Sequence, residues 1–144
     1  MTSLAHSEIL SMMQQVGSIL SDDQSSAPSI EIDAECQDNG PAVYAWVFQG
    51  TILYIGKAGR GLRHRMRQHA SGFRNSARGK SHAQFLAPLI ASGNGVQIWA
   101  WWPQPTTVRG YAVPMHSAIE DWLIVSADPT PVRNRVAGRV ADTD

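Results

Sequence analysis

Two phenols, a guanidinium and an imidazole stand at spacings that would let them meet. Tyr44 and Tyr54 lie in two β-rich segments, Ala42 to Phe48 and Thr51 to Ile55, joined through Gln49-Gly50. This is a hairpin pattern, and antiparallel pairing would carry both hydroxyls to one end of a shared face. Gly56 ends the second segment, Lys57 to Gly61 is a glycine-rich turn, and the basic helix that follows carries Arg65 and His69 four residues apart, hence on one face. A phenol ordinarily holds its proton up to a pKa of about 10. Neighbouring positive charge from Lys57 and Arg65 would be needed to make it a base. The guanidinium fork could brace an anion meanwhile. Spacing alone does not separate Arg65 from Arg63 or Arg67, nor Tyr44 from His69 as the group that takes the proton.

In their order these features resemble the GIY-YIG nuclease superfamily. Ala42-Val43-Tyr44 stands where that family has Gly-Ile-Tyr, and Tyr54-Ile55-Gly56 matches its second motif letter for letter. Arg65 and His69 match its helix-borne Arg and the His one turn later. Ser117-Ala118-Ile119-Glu120 and Pro131-Val132-Arg133-Asn134 resemble the segments with its metal-binding Glu and its structural Asn. The resemblance spans roughly Pro41 to Arg135. The chain departs from it in Ala42-Val43 for Gly-Ile and in an extra glycine-rich turn between Tyr54 and Arg65, and neither departure removes a group that does chemistry.

The resemblance implies a phosphodiester hydrolase acting on DNA, double-stranded DNA first. It implies Tyr44, Tyr54, Arg65, His69, Glu120 and Asn134 as catalytic residues, with Glu120 holding one Mg²⁺ or Mn²⁺. A single carboxylate with several waters suits Mg²⁺. Without the motif, Glu120 beside Asp121 reads as a solvated helix face. His116, one turn earlier, would make a His-Glu pair. Asn134 would tie the C-terminal segment onto the site by side-chain hydrogen bonds.

Charge agrees once it is divided along the chain. The 144 residues sum to zero, yet residues 1–38 hold seven acids and no Lys or Arg, while residues 39–119 hold nine basic residues and no acid. A basic block of this kind attracts phosphate backbones. Lys57, Arg63, Arg67, Arg74, Lys80 and Arg109 are the candidate substrate-binding residues within it. The acidic stretch suggests a segment that could lie over the basic surface.

The fold class expected is α/β (α+β), a small, mainly antiparallel, three-stranded sheet flanked by helices. The division expected is an acidic N-terminal helix and linker over 1–38, a nuclease domain over 39–138 and a flexible tail over 139–144. Ser3 to Leu20 has near-helical apolar spacing, and Ser21 to Ser29 reads as a connector. Arg60 to Arg74 reads as a helix, Asn75 to Lys80 as a loop, and Ser81 to Ala91 as a second helix weakened by Pro88. Val96 to Trp102 reads as a buried strand, in which Trp99, Trp101 and Trp102 serve the sheet rather than stack on bases. Gln104 to Ala112 reads as a loop, and Pro114 to about Ala127 as a helix.

Cys36 is the only cysteine, which leaves no intramolecular disulfide and no cysteine-built zinc site. No apolar run approaches a membrane span and no leader pattern is seen, so a cytoplasmic location and no membrane partner are expected. With no separate DNA-reading module visible, specificity would come from loops, a homodimer or a partner protein. A structure-selective repair or recombination nuclease and a non-catalytic nucleic-acid-binding module are the alternatives.

Overall fold

A computed structural model describes residues 2–136 and 139–140. The chain begins with β1 (Leu4–Ala5) and α1 (His6–Leu10), then β2 (Gln14–Leu20) and β3 (Ser29–Ile32). Next come β4 (Ala42–Phe48), β5 (Thr51–Ala58), α2 (Leu62–Asn75), α3 (Ala77–Ile90) and β6 (Val96–Trp101). The hairpin β7 (Thr106–Val108) and β8 (Tyr111–Val113) precedes α4 (His116–Ser126), and the short β9 (Ala127–Asp128) pairs in parallel with β1. A 3₁₀ turn, Val132–Asn134, follows.

The main sheet is antiparallel and mixed with helices as expected, but it has five strands in the order β3-β2-β6-β4-β5 rather than three. The two extra strands come from the stretch expected to be a helix and linker. β2 pairs with β6 from Gln14↔Ala100 to Ile19↔Val96 and with β3 from Gly17↔Ile32 to Leu20↔Ser29. Only His6–Leu10 of the expected helix forms. Beyond it Val16 and Ile19 are buried in the sheet. Gly17 lies so close to the carbonyl of Glu31 that a Cβ there would collide with it. Because residues 14–20 are hydrogen-bonded to a strand some eighty positions away, this part of the acidic N-terminal stretch is built into the sheet. The tail residues 141–144 lie outside the described residues.

β4 is buried on both faces, which explains its unbroken apolar run. One face carries Tyr44, Trp46 and Tyr54 against Leu62, Met66, Phe73, Leu86 and Ile90 of α2 and α3. The other carries Val43, Ala45, Val47 and Ile55 against Leu123 and Ile124 of α4 and Ile9 of α1. At about 25 cal/mol per Å² of apolar area, these two cores supply the main drive to fold. β6 alternates between buried and half-buried residues, so its tryptophans sit on the wetter side rather than within a fully buried strand.

α2 and α3 pack closely against each other. The expected loop over Asn75 to Lys80 shrinks to Ser76, whose hydroxyl accepts from the Gly79 N–H at 2.9 Å as the N-cap of α3. A Cβ on Gly79 would strike the Gly72 carbonyl, so glycine is required for the helices to approach. α2 is started by Asp38, whose two carboxylate oxygens accept from the Leu62 and Arg63 N–H groups at 2.9 Å each, while Trp102 Nε1 donates to it as well. Burial raises the carboxyl's pKa, but the backbone hydrogen bonds from Arg63 and Leu62 and that from Trp102 outweigh burial and hold it below the ordinary range. Among the described residues no helix is long and apolar enough to cross a membrane.

Candidate active site

Tyr44 is fully buried on β4, and its hydroxyl lies 2.6 Å from Nε2 of His69, which is 7% exposed on α2. Tyr44 stands opposite Gly56 in the β4–β5 register. A Cβ at Gly56 would run into the phenol, so the glycine after Tyr54-Ile55 leaves the space that the Tyr44 ring fills. Tyr54 sits on the same face with its ring centroid 6.2 Å from that of Tyr44. Burial works against the charge of Arg65, but the neighbouring Tyr44 and then Tyr54 outweigh it and raise its pKa, so the guanidinium stays charged beside both phenols. Four of the six expected catalytic residues therefore converge, as the hairpin and the four-residue helical spacing predict.

The electrostatics differ from expectation. Positive charge was expected to ease ionisation of Tyr44, yet burial raises its pKa well above 10, joined by the neighbouring Tyr54, and the lowering by Arg65 does not offset this. The phenol is therefore protonated at neutral pH. His69 moves the other way, down to about 3, by burial first and then by the positive charge of Arg65, His82 and Arg78. Its imidazole is neutral at neutral pH, so the Tyr44 O–H donates and Nε2 accepts.

Asn134 is fully buried and clamps β5. Its Oδ1 accepts from the Ile55 N–H at 2.7 Å, and its Nδ2 donates to the Ile55 carbonyl at 2.9 Å. Glu120 is also fully buried, on the stripe of α4 that carries Leu123 and Ile124. That helix packs on the face of the sheet opposite the tyrosines, and the two sides meet at the end of β5. There a pocket of about 340 Å³ is lined by Tyr54, Lys57, Arg60, His64, Arg65 and His116. Glu120 is one helical turn beyond His116 and is not part of that lining. Gly59 on the turn after β5 allows close approach, since a Cβ there would lie 3.3 Å from Nε2 of His116.

The basic residues divide among several surfaces. Lys57 faces the pocket, and Arg60 joins it. Arg63 is turned inward, donating to the carbonyls of Cys36 and Asp33 at 2.9 Å each, and with Arg67 it borders a groove beside Ile30 and Ile32 of β3. Arg74 and Lys80 border a separate hollow with Ser25 and Ala27. Arg109 caps the β7–β8 hairpin. Sequence reasoning missed His82 and Arg133. Arg133 Nε donates to His82 Nδ1 at 3.1 Å, and the His82 ring centroid lies 5.2 Å from that of Tyr54 and 6.1 Å from that of His69. Both were unremarkable singly, being 51 residues apart in the chain.

For a divalent ion the donor set is spare: among the described residues, no three His, Cys, Asp or Glu side chains group to hold a metal. What α4 offers is the carboxylate of Glu120, with the His116 imidazole one turn away. With one hard oxygen donor, this set would suit Mg²⁺ or Mn²⁺, which bind few protein ligands, better than a cation that needs a full protein cage.

The buried histidines imply an acid-sensitive fold. His82 is lowered to about 4, by burial and then by Arg133, Arg78 and Arg65. Unfolded imidazoles take protons near pH 6.5, which the folded ones refuse until pH 3 to 4. With folded pKa values depressed, stability is complete above pH 6.5 and falls as pH drops towards 4. For His69 the loss at pH 5 is on the order of 2 kcal/mol. Urea midpoints at pH 7.5, 6 and 5 should decline in that window, and a constant midpoint would show that the imidazoles titrate normally.

No protein-family profile matches the chain, and no curated protein matches it. Two solved structures share its fold. Restriction endonuclease HPY188I in complex with product DNA has 19% identity and a TM-score of 0.56, covering 82% of this chain and 75% of its own. Bacteriophage T4 EndoII, in a mutant form, has 14% identity and a TM-score of 0.61, covering 83% of this chain and 92% of its own. In its fold, this chain is similar to a restriction endonuclease.

Proposed function

We propose that the chain is a divalent-metal-dependent endonuclease that hydrolyses phosphodiester bonds in duplex DNA, of GIY-YIG type. The observation that carries this is the buried Tyr44 hydroxyl 2.6 Å from a neutral His69 Nε2, set behind Tyr54 and Arg65, which line a basic pocket. The fold shared with a restriction endonuclease supports the same reading.

A protonated phenol can still relay. Its oxygen accepts a proton from the attacking water while its own proton passes to His69, so no phenolate has to form in a buried site. Arg65 and Lys57 offset the charge that grows on the phosphoryl oxygens. Glu120, with His116 nearby, would hold Mg²⁺ or Mn²⁺, which on binding supplies Lewis-acid help to the phosphate and the leaving oxygen. Asn134 holds β5, and with it Tyr54, in place. Cuts in both strands would come from a homodimer or from successive visits.

The test is direct. Purified protein with 5 mM-scale Mg²⁺, roughly the level that a weak one-carboxylate site requires, is expected to nick or linearise supercoiled plasmid and linear duplex. Excess chelator should stop the reaction, and added Mg²⁺ or Mn²⁺ should restore it. Binding without cleavage under every divalent ion would leave a nucleic-acid-binding module instead.

A further inference from the structure

The segment from Gln104 to Pro114 is ordered but exposed at every residue. It was expected to be a loop; it is a two-stranded antiparallel ribbon with the register Thr106↔Val113, Thr107↔Ala112 and Val108↔Tyr111. Cross-strand partners share a face, so Val108, Tyr111 and Val113 project together, at 49%, 76% and 37% exposure. The ribbon ends at Val113, three residues before His116, which lines the pocket.

Its tip is a two-residue turn in which both residues have positive φ, Arg109 at 51° and Gly110 at 85°. Such turns favour Asn or Gly at the first position, because a Cβ with a long side chain is costly there. Among the described residues no hydrogen bond or ion pair of the Arg109 side chain offsets that cost, and the exposed guanidinium is open to an external contact.

We infer that the β7–β8 ribbon enters a groove of duplex DNA beside the cleaved bond and reads it, with Arg109 leading. This rests on the endonuclease reading and assigns it a specificity element. A two-stranded ribbon fits the major groove. The tip offers a forked donor for guanine or phosphate, and the projecting face offers a phenol and aliphatic groups for thymine methyls. Charge favours this occupant over a second copy of the chain, since no acid lies anywhere from residue 39 to residue 119. The covalent link to the pocket fixes the distance between the groove being read and the phosphate being held.

Arg109→Asn separates the contact from the fold. It relieves the backbone at the turn, so thermal stability should hold or rise, while KM for duplex rises about tenfold or more, the weight of one good contact, with kcat little changed. The distribution of cut sites on a random-sequence duplex should broaden at the same time. Unchanged KM with an unchanged cut-site distribution would overturn the inference. A photoreactive benzoylphenylalanine at position 111 provides a readout that does not need cleavage. Cross-links to duplex support the inference even if the protein proves not to cut, whereas cross-links to another copy of the chain, or none to DNA, overturn it.

Discussion

Tyr44→Phe is expected to lower kcat by about 10²- to 10⁴-fold, the range for loss of a positioned proton acceptor, while duplex affinity in chelator stays within about threefold of the parent, under 1 kcal/mol. The ring is retained, so its packing across Gly56 and against Tyr54 is preserved. What goes is the oxygen between His69 Nε2 and Arg65. The imidazole then has no hydroxyl to receive a proton from, and a buried acceptor left without its donor costs about 1–3 kcal/mol of stability. That loss is read separately by urea denaturation and leaves most of a typical reserve of about 5–15 kcal/mol. Single-turnover cleavage of a labelled duplex is the deciding measurement. A variant that cuts within a few-fold of the parent would remove the phenol from the chemistry and leave His69 or a metal-held water to act alone.

The parts of this site that were legible in the sequence are those fixed by short-range periodicity. The β4–β5 hairpin is set by two runs of β-branched and aromatic residues around Gln49-Gly50, and Arg65 and His69 meet the tyrosines because four residues make one helical turn. The N-terminal stretch reads as a helix because Leu4, Ile9, Met12, Met13, Val16 and Ile19 satisfy a helical spacing, whereas β6, which pairs with residues 14–19, is remote in sequence. Pairing with a distant strand overrides local pattern. In the sequence Asp38 is one of seven acids before residue 39, and its capping role is hidden because its donors Leu62, Arg63 and Trp102 lie 24 to 64 residues away. The direction of the Tyr44 shift was also hidden, because burial, which sets it, is a property of the packed sheet and not of the neighbours in sequence.

The largest stability effect is expected at Asn134. β5 is the edge strand of the sheet, and Ile55 lies opposite Ala45 of β4. On the open side, both main-chain groups of Ile55 are completed by the Asn134 amide, which acts as one residue of a sixth strand. Asn134→Ala leaves a buried N–H and a buried C=O without partners, about 1–3 kcal/mol for each, so a loss of roughly 2–5 kcal/mol and a clear fall in the urea midpoint are expected. Asn134→Asp tells this clamp from mere filling of space. A carboxylate still accepts from the Ile55 N–H but faces the Ile55 carbonyl with negative charge, which raises its folded pKa above the unfolded value of about 3.9. Its contribution is therefore fullest below that value, where the protonated acid donates to the carbonyl, and is lost as pH rises through the folded pKa. The variant's deficit relative to the parent should thus narrow in acid, whereas a simple packing defect would keep it constant. Since Ile55 lies between Tyr54 and Gly56, the glycine that makes room for Tyr44, the same variants should lose cleavage in proportion to how far β5 is loosened. A variant of either kind with parental stability would show that the edge of β5 is held by something other than this amide.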